Sequence, residues 1–416
     1  MKRLYETDSY IKVLETVVTE AGDDEKGRPY ICLADTIFFP EEGGQNADTG
    51  YLVLKGQSDA CADTDPPHKI RVLDGIITGR NTCSSVSEGS GIQIRYIVSE
   101  PVAAGTGVIC YLDWGKRYDR MQNHSGEHIL TGVIHNRYGF DNVGFHLSDT
   151  GFVTLDLNGV LTYEQVIEAE KEANRVVYAN IPIKDSYPTA QELEGITYRS
   201  KIDIDGQVRL ITIGSDDETV DVCACCAPHV ARTGEIGLIK VISVINWKGG
   251  IQIAMLCGRR ALEYINKEHD ILTETAVMLS TEAVNVPDIV NKHREEITEL
   301  KARLAQALEN GVKYRIGSGE ADETGCIFVE GDFPAGSMKN IYNSLAGLYT
   351  DRYVGLFAGD DGTGYRYYAG SRNRDSRKLA ATLKEALNAK GGGSAEMIQG
   401  KVQASRKEIE DYFRSM

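Results

Sequence analysis

Residues 117–139, RYDRMQNHSGEHILTGVIHNRYG, predict one helix that stops at Gly139. His124 and His128 stand four apart inside it, so both imidazoles share a face and one ion can reach both rings. A second pair, Cys225 and His229 in CCAPH, has the same spacing. The two pairs are so distant in the chain that only a folded domain brings them together. Three imidazoles and a thiolate are the borderline-soft N and S donors that Zn²⁺ takes in a tetrahedron. Each pair alone has a plainer reading, as a helix surface or a turn. Both together, in a chain with eight histidines, point to one metal site. The cysteine is open at this level. Cys225 is preferred for its spacing, Cys226 is a substitute, and Cys223 reads equally as a small buried apolar residue.

N-terminal to the helix, as far as about residue 115, short β-branched or alternating runs recur: KVLETVV, RPYICLA, YLVL, KIRVL, GIQIRYIV and GVICYLDW. Turn-rich pieces separate them, and Gly105 and Gly107 precede the last. They predict a small barrel-like all-β unit, residues 1–115. C-terminal to the helix the pattern is mixed. GFHLSDTGFVTLDL predicts a hairpin, and Thr162 with Gln165 predicts a capping box opening a helix. Strands are expected at IPIKD, QVRLITI, GLIKVISVI and GGIQIAMLC, with CCAPH in a connection after an acidic SDDETVD stretch. Residues 116–265 are thus expected to form a second domain and 266–314 a helical linker or hairpin. In the linker, Val290, Ile297, Leu300, Leu304 and Leu308 share one side, either packed on a neighbour or forming a dimer seam. Residues 315–416 form a third domain with a strand pair turning at DDGTG, a helix, and a loop KGGGSAEMIQGK. The expected fold class is α+β and multidomain.

The chain has 416 residues and a formal net charge of −16, which disfavours nonspecific nucleic-acid binding and requires a local basic patch for any specific one. No apolar run is long enough to suggest a membrane span, and MKRLYETDSYIKV lacks the apolar region of a secretory signal. Nine cysteines, three bunched beside a histidine, suit a reducing cytoplasm better than a disulfide framework.

HSGEH with CCAPHVARTGEIG resembles the editing domain of alanyl-tRNA synthetases and of free-standing alanyl-tRNA editing proteins. TIFFPEEGGQNADTG is similar to that family's glycine-rich segment, and KGGIQIAMLCGRRAL to its closing strand and helix. The tail resembles the DHHA1 domain of long editing proteins. No stretch resembles the aminoacylation core, so a free-standing editing enzyme is expected. The resemblance implies a translation-factor-like barrel, a synthetase-type editing domain and a C-terminal α/β DHHA1-like domain. It implies hydrolysis of the ester between serine, or glycine, and tRNA specific for alanine. It places zinc on His124, His128, Cys225 and His229, sets Thr36 to meet the serine hydroxyl, and puts Gln45 beside the reacting ester. Lys390, Gly391, Gly392, Gly393 and Lys401 become candidate tRNA contacts, and a homodimer through the linker or tail becomes a candidate assembly.

This chain departs from the family at several points. CCAPH stands where CGGTH is usual, Glu42 precedes the glycines, Gln252 occupies a common arginine position, and the tail loop lacks an arginine. HSGEH also spells H-x-x-E-H, with Glu127 as the general base of a zinc peptidase. A non-catalytic tRNA-binding protein with a structural zinc is the third reading. His146 either lines the site or is an ordinary strand histidine.

Overall fold

Six strands, β1 (Val13–Asp23), β2 (Pro29–Leu33), β3 (Gly50–Leu54), β4 (Ile70–Thr78), β5 (Gln93–Val98) and β6 (Gly107–Leu112), close into a barrel in the order β1-β2-β5-β4-β3-β6. Alternation drives it: along β6, Val108, Cys110 and Leu112 point inward against Val18, Leu33, Leu52 and Tyr96. This computed structural model describes all residues except 57–67, 79–92, 148, 201–206, 215–218 and 332. Cys61, Cys83 and the start of the acidic SDDETVD stretch therefore lie outside the described residues. Contacts divide the chain into two units, Met1–Ile271 and Leu272–Met416.

The predicted helix is α1 (Trp114–Tyr138), capped by Asp113 at its start and by left-handed Gly139 at its end. Almost all of its middle is buried, although it carries arginines, a glutamate and histidines. Gly126 allows this, since a Cβ there would collide with the Cys257 sulfur. Gly132 meets Asp221 in the same way, a Cβ falling 2.8 Å from the Asp221 Cβ. β7 (Asn142–His146) and β8 (Val153–Leu157) form the expected hairpin. α2 (Tyr163–Ala179) opens on the Thr162–Gln165 capping box and buries Val166, Ala173 and Val177. β9 (Ile183–Ser186), β10 (Leu210–Gly214) and β11 (Thr219–Ala224) form one antiparallel sheet. β12 (Ile239–Trp247) and β13 (Gly250–Cys257) join β8 and β7 in another, ordered β12-β13-β8-β7. The strand β11 is an addition to the sequence reading; CCAPH itself follows it in the expected connection before β12.

α3 (Gly258–Met278) and α4 (Val286–Gly317) supply the expected helical stretch. On α4, Val290, Ile297, Leu300 and Leu304 are exposed, while Leu308 packs on the core of the second unit. That unit is a sheet covered on both faces. β14 (Cys326–Val329) pairs in parallel with β15 (Val354–Asp360); β16 (Gly364–Gly370), β17 (Lys390–Gly393) and β18 (Ile398–Val402) complete the order β14-β15-β16-β18-β17. Ile327 and Val329 face α5 (Ala335–Leu348), while Cys326 and Phe328 face α6 (Ser376–Leu387) and α7 (Arg406–Arg414). KGGGSAEMIQGK is accordingly a β-hairpin and not a loop. Its glycines fit the pairing: a Cβ on Gly391 would lie 2.8 Å from the Tyr367 hydroxyl.

Candidate metal centre

α1 sets the His124 and His128 rings 5.3 Å apart between centroids, one turn above the other. The chain leaves β11 into the CCAPH turn, which brings Cys225 and His229 to the same place. One ligand atom from each of His124, His128, Cys225 and His229 lies within 4.8 Å of all the others, so the four could hold a metal ion. Cys225 Sγ is 3.6 Å from His124 Nε2 and 3.4 Å from His229 Nε2. Cys225, and not Cys226, is the cysteine of this cluster. Cys223 is buried and forms a second group with His128 and Asp221. The described cysteines form no disulfide.

Each histidine is held through Nδ1. His124 Nδ1 meets Gln45 Oε1 at 2.8 Å, His128 Nδ1 meets Asp221 Oδ2 at 3.2 Å, and His229 Nδ1 meets Ser125 Oγ at 3.0 Å. An amide oxygen and a carboxylate only accept, so Nδ1 of His124 and of His128 carries the proton and Nε2 presents a lone pair. Ser125 Oγ already accepts from Val230 N at 3.2 Å. Outer partners of this kind orient metal-binding imidazoles. Behind them, Arg199 grips both oxygens of Asp221, at 2.7 and 2.9 Å.

The buried groups of the cluster shift one another strongly. Burial raises the Cys225 thiol, but the neighbouring histidines, His124 foremost, outweigh it and hold it well below the ordinary thiol range. Burial pushes His229 down to about 3, keeping its ring neutral. For His128 burial acts downward, yet Cys223 and Asp221 win and raise it. Asp221 is lowered although burial acts upward, because His128 and Arg199 favour its charged form.

Two arginines of α1 fix the glycine-rich segment against this helix. Arg117 Nε donates to Asp48 Oδ2 at 2.9 Å and its Nη2 to Ile37 O at 2.6 Å. Arg120 donates to Ala47 O at 2.7 Å and pairs with Asp149 at 2.6 Å. Asp48 also accepts from Phe39 N at 2.8 Å. Neither arginine stands out in the sequence, where charged residues on a helix read as solvated; Asp48 belongs to the quoted glycine-rich segment TIFFPEEGGQNADTG.

A cavity of about 330 Å³ opens over the cluster. Phe39, Glu42, Phe145, Tyr187 and Arg209 line it with His124, His128 and Cys225. Gln45 is not among the lining residues; it is fully buried, and its Nε2 has no hydrogen-bond partner among the described residues. Thr36 is not among the lining residues. It is fully buried and not a strand-surface residue; its hydroxyl donates to Tyr96 Oη at 2.8 Å and accepts from Phe38 N at 3.1 Å. His146 is exposed opposite Thr154 on the hairpin. Glu127 is buried outside this lining, accepting from Thr131 Oγ1 at 3.2 Å and from Asn142. Gln252 donates to Asp156 at 2.7 Å. In the second unit Lys390 and Lys401 face each other across the hairpin and line a cavity of about 530 Å³. Among the described residues no helix is long and apolar enough to cross a membrane.

Residues 208–252 match the model of the threonyl and alanyl tRNA synthetase second additional domain. The chain is 27% identical to the alanyl-tRNA editing protein AlaX-L of Pyrococcus horikoshii, over 99% of this chain and 97% of that one. It is 26% identical to the alanyl-tRNA editing protein Aarsd1-A of Xenopus laevis, covering 91% and 86% of the two chains. An alanine–tRNA ligase of Pyrobaculum neutrophilum is 27% identical over 74% of this chain but only 31% of its own. The similarity to alanyl-tRNA editing proteins thus covers 99% of this chain in the first of these matches.

Proposed function

We propose that this protein is an aminoacyl-tRNA deacylase, a hydrolase that removes serine, or glycine, from mischarged tRNA specific for alanine. The observation that carries the reading is the four-residue ligand cluster at the floor of a cavity, in a chain similar end to end to alanyl-tRNA editing proteins. Zn²⁺ is the proposed metal. Zinc–sulfur and zinc–nitrogen bond lengths in a tetrahedron put S and N about 3.5 Å apart, in keeping with the 3.4 and 3.6 Å found. Bound there, zinc would supply a Lewis acid beside the ester.

The protein's own groups do the rest. An aminoacyl ester is already reactive, so positioning and charge stabilisation suffice. Gln45 orients His124 through Oε1 and keeps Nε2 as a buried donor, which supports its proposed place beside the ester. The proposed serine-reading role of Thr36 rests on its motif. A group that hydrogen-bonds the serine hydroxyl discriminates far better than an apolar wall, because alanine leaves it unpaired. Residues 1–115 would hold the acceptor end, 116–265 the chemistry, and 266–314 a dimer seam. Residues 315–416 would add tRNA contacts through Lys390, Gly391, Gly392, Gly393 and Lys401.

Release of serine from Ser-tRNA specific for alanine tests the reading, with Ala-tRNA and Cys225→Ala as controls. Serine release that spares Ala-tRNA and disappears in the variant is expected. No release from folded, zinc-loaded protein would overturn it and favour a tRNA-binding protein with a structural metal, since four protein ligands leave no open position.

A further inference from the structure

Arg209 is the single Lys or Arg among the described residues lining the cavity over the cluster. It is only 7% exposed. Its Nη1 donates to Cys225 O at 3.2 Å and to Ala227 O at 2.9 Å, the carbonyls on either side of Cys226 in the ligand turn. Nη1 sits on the Cδ side of a guanidinium. The opposite edge, Nε–H with Nη2, is a fork that meets two oxygens of one anion. Here Nε is buried and has no partner among the described residues. A permanent cation with a buried, unsatisfied donor is costly, and the turn does not require it, because Nη1 already braces both carbonyls.

Two carboxylates share the cavity, Glu6 and Glu42. Glu6 is near enough for Arg209 to lower its carboxyl, but burial dominates and raises it, and its Oε1 is held by Arg3 at 3.2 Å. Neither carboxylate satisfies Nε, which has no hydrogen-bond partner among the described residues.

Resting on the deacylase reading, we propose that the Nε–Nη2 edge of Arg209 binds the phosphate of the substrate's terminal nucleotide, and so ties substrate binding to the turn that carries Cys225. A neutral ester offers one carbonyl oxygen; a phosphate offers two anionic oxygens at the spacing of the fork. On a chain of net charge −16, a buried cation inside the cavity is also what holds a phosphate against the general field. Arg209 is then a phosphate-binding residue that also positions the ligand turn.

The test compares adenosine 5′-monophosphate with adenosine as inhibitors of serine release. On the wild-type protein the phosphate is expected to strengthen inhibition by roughly 10- to 100-fold, the usual worth of a charged hydrogen-bonded contact. Arg209→Gln should erase that difference and raise KM for Ser-tRNA, and Arg209→Lys should recover part of the phosphate advantage. Equal inhibition of the wild type by the two compounds overturns the proposal, as does a variant that loses kcat while keeping the phosphate advantage. If Arg209→Gln does not fold, the wild-type comparison decides alone. If the wild type releases no serine, the deacylase reading fails separately, and calorimetry with the same two compounds then reads the site directly. Tighter binding of the phosphorylated one supports Arg209 as a phosphate site; equal or absent binding of both overturns it.

Discussion

Arg117 Nε and Asp48 Oδ2 lie 2.9 Å apart with both side chains buried, and this pair joins the helix of His124 and His128 to the glycine-rich segment. Asp48 also accepts from Arg117 Nη2, from Phe39 N and from Arg120 at 3.3 Å. Gln45 sits three residues before Asp48, so the same clamp sets the amide that orients His124.

Asp48→Ala should therefore be among the more damaging single changes in the first unit. Removing one partner of a buried ion pair leaves an uncompensated charge and typically costs about 3–5 kcal/mol. Urea unfolding is expected to show a loss of that order. Metal affinity should fall as well, because Gln45 loses its seat. A stability change within the ordinary surface range of about 0.5 kcal/mol would refute the clamp.

Asp221→Asn separates orientation of a ligand from its presence. The amide still reaches His128 Nδ1 but lacks the charge that fixes the ring and balances Arg199. Metal affinity should drop by roughly 10- to 100-fold, as for other outer partners of metal-binding histidines. Competition against a chelator measures it. Unchanged affinity would mean that His128 does not bind the ion through Nε2.

Much of this architecture is legible in the sequence because it follows from period. The alternation in GVICYLDW and RPYICLA yields barrel strands, and the helical spacing around HSGEH yields α1 with its end at Gly139. The preference for Cys225 follows from spacing too, and Cys225 is the cysteine that joins the histidines in the fold. The outer partners do not. Gln45, Ser125 and Asp221 reach the histidines only through tertiary contact, from three different segments. Arg117 and Arg120 look like solvated charges until the fold buries them with Asp48. Thr36 shows the limit of a motif, which identifies the residue but not where its hydroxyl points. The KGGGSAEMIQGK hairpin was hidden for a different reason. Glycine is a loop signal in composition, yet here it admits a strand backbone close under Tyr367.

Alkaline pH should weaken the barrel. Burial pushes the Cys110 thiol from 9.0 up to about 12, and Cys32 up to about 11. The native state thus keeps protons that the unfolded chain releases, and the sign follows. These thiols cause no loss below the unfolded value, and stability declines as pH rises from about 9 through the folded values. Cys110→Ala should lower stability at neutral pH through its cavity but flatten the decline above pH 9. Urea midpoints for both proteins on either side of that pH would show it, and parallel slopes would rule out Cys110 as the cause.

Thr36→Val tests whether the motif threonine reads the substrate or braces the barrel. Valine keeps the shape but loses the hydroxyl that links Tyr96 and Phe38, a loss expected to cost about 1–3 kcal/mol. A purely structural Thr36 predicts lower stability with the preference for Ser-tRNA over Ala-tRNA intact. A reading role predicts that the preference itself collapses. Measuring both quantities on one preparation distinguishes the two, and Ser→Ala discrimination that survives in a folded variant removes Thr36 from the recognition set.

The exposed face of α4 makes the last prediction. Val290, Ile297 and Leu304 recur every seven residues, and Leu300 falls between the last two at the spacing of a coiled-coil seam. All four are exposed in the single chain. Along the same helix, Arg303 and Glu299 form a surface pair at 2.6 Å, as expected for a solvated flank beside such a seam. A second copy of the helix would bury the stripe, so the protein should run as a dimer in light scattering at micromolar concentration. Leu300→Lys with Leu304→Lys should yield a folded monomer, because a buried ammonium on each side of the seam costs more than the apolar contact returns. Deacylation of a small aminoacyl ester should survive the change, since the cluster and its cavity lie within Met1–Ile271. A wild-type monomer would leave the stripe without this partner and overturn the assignment.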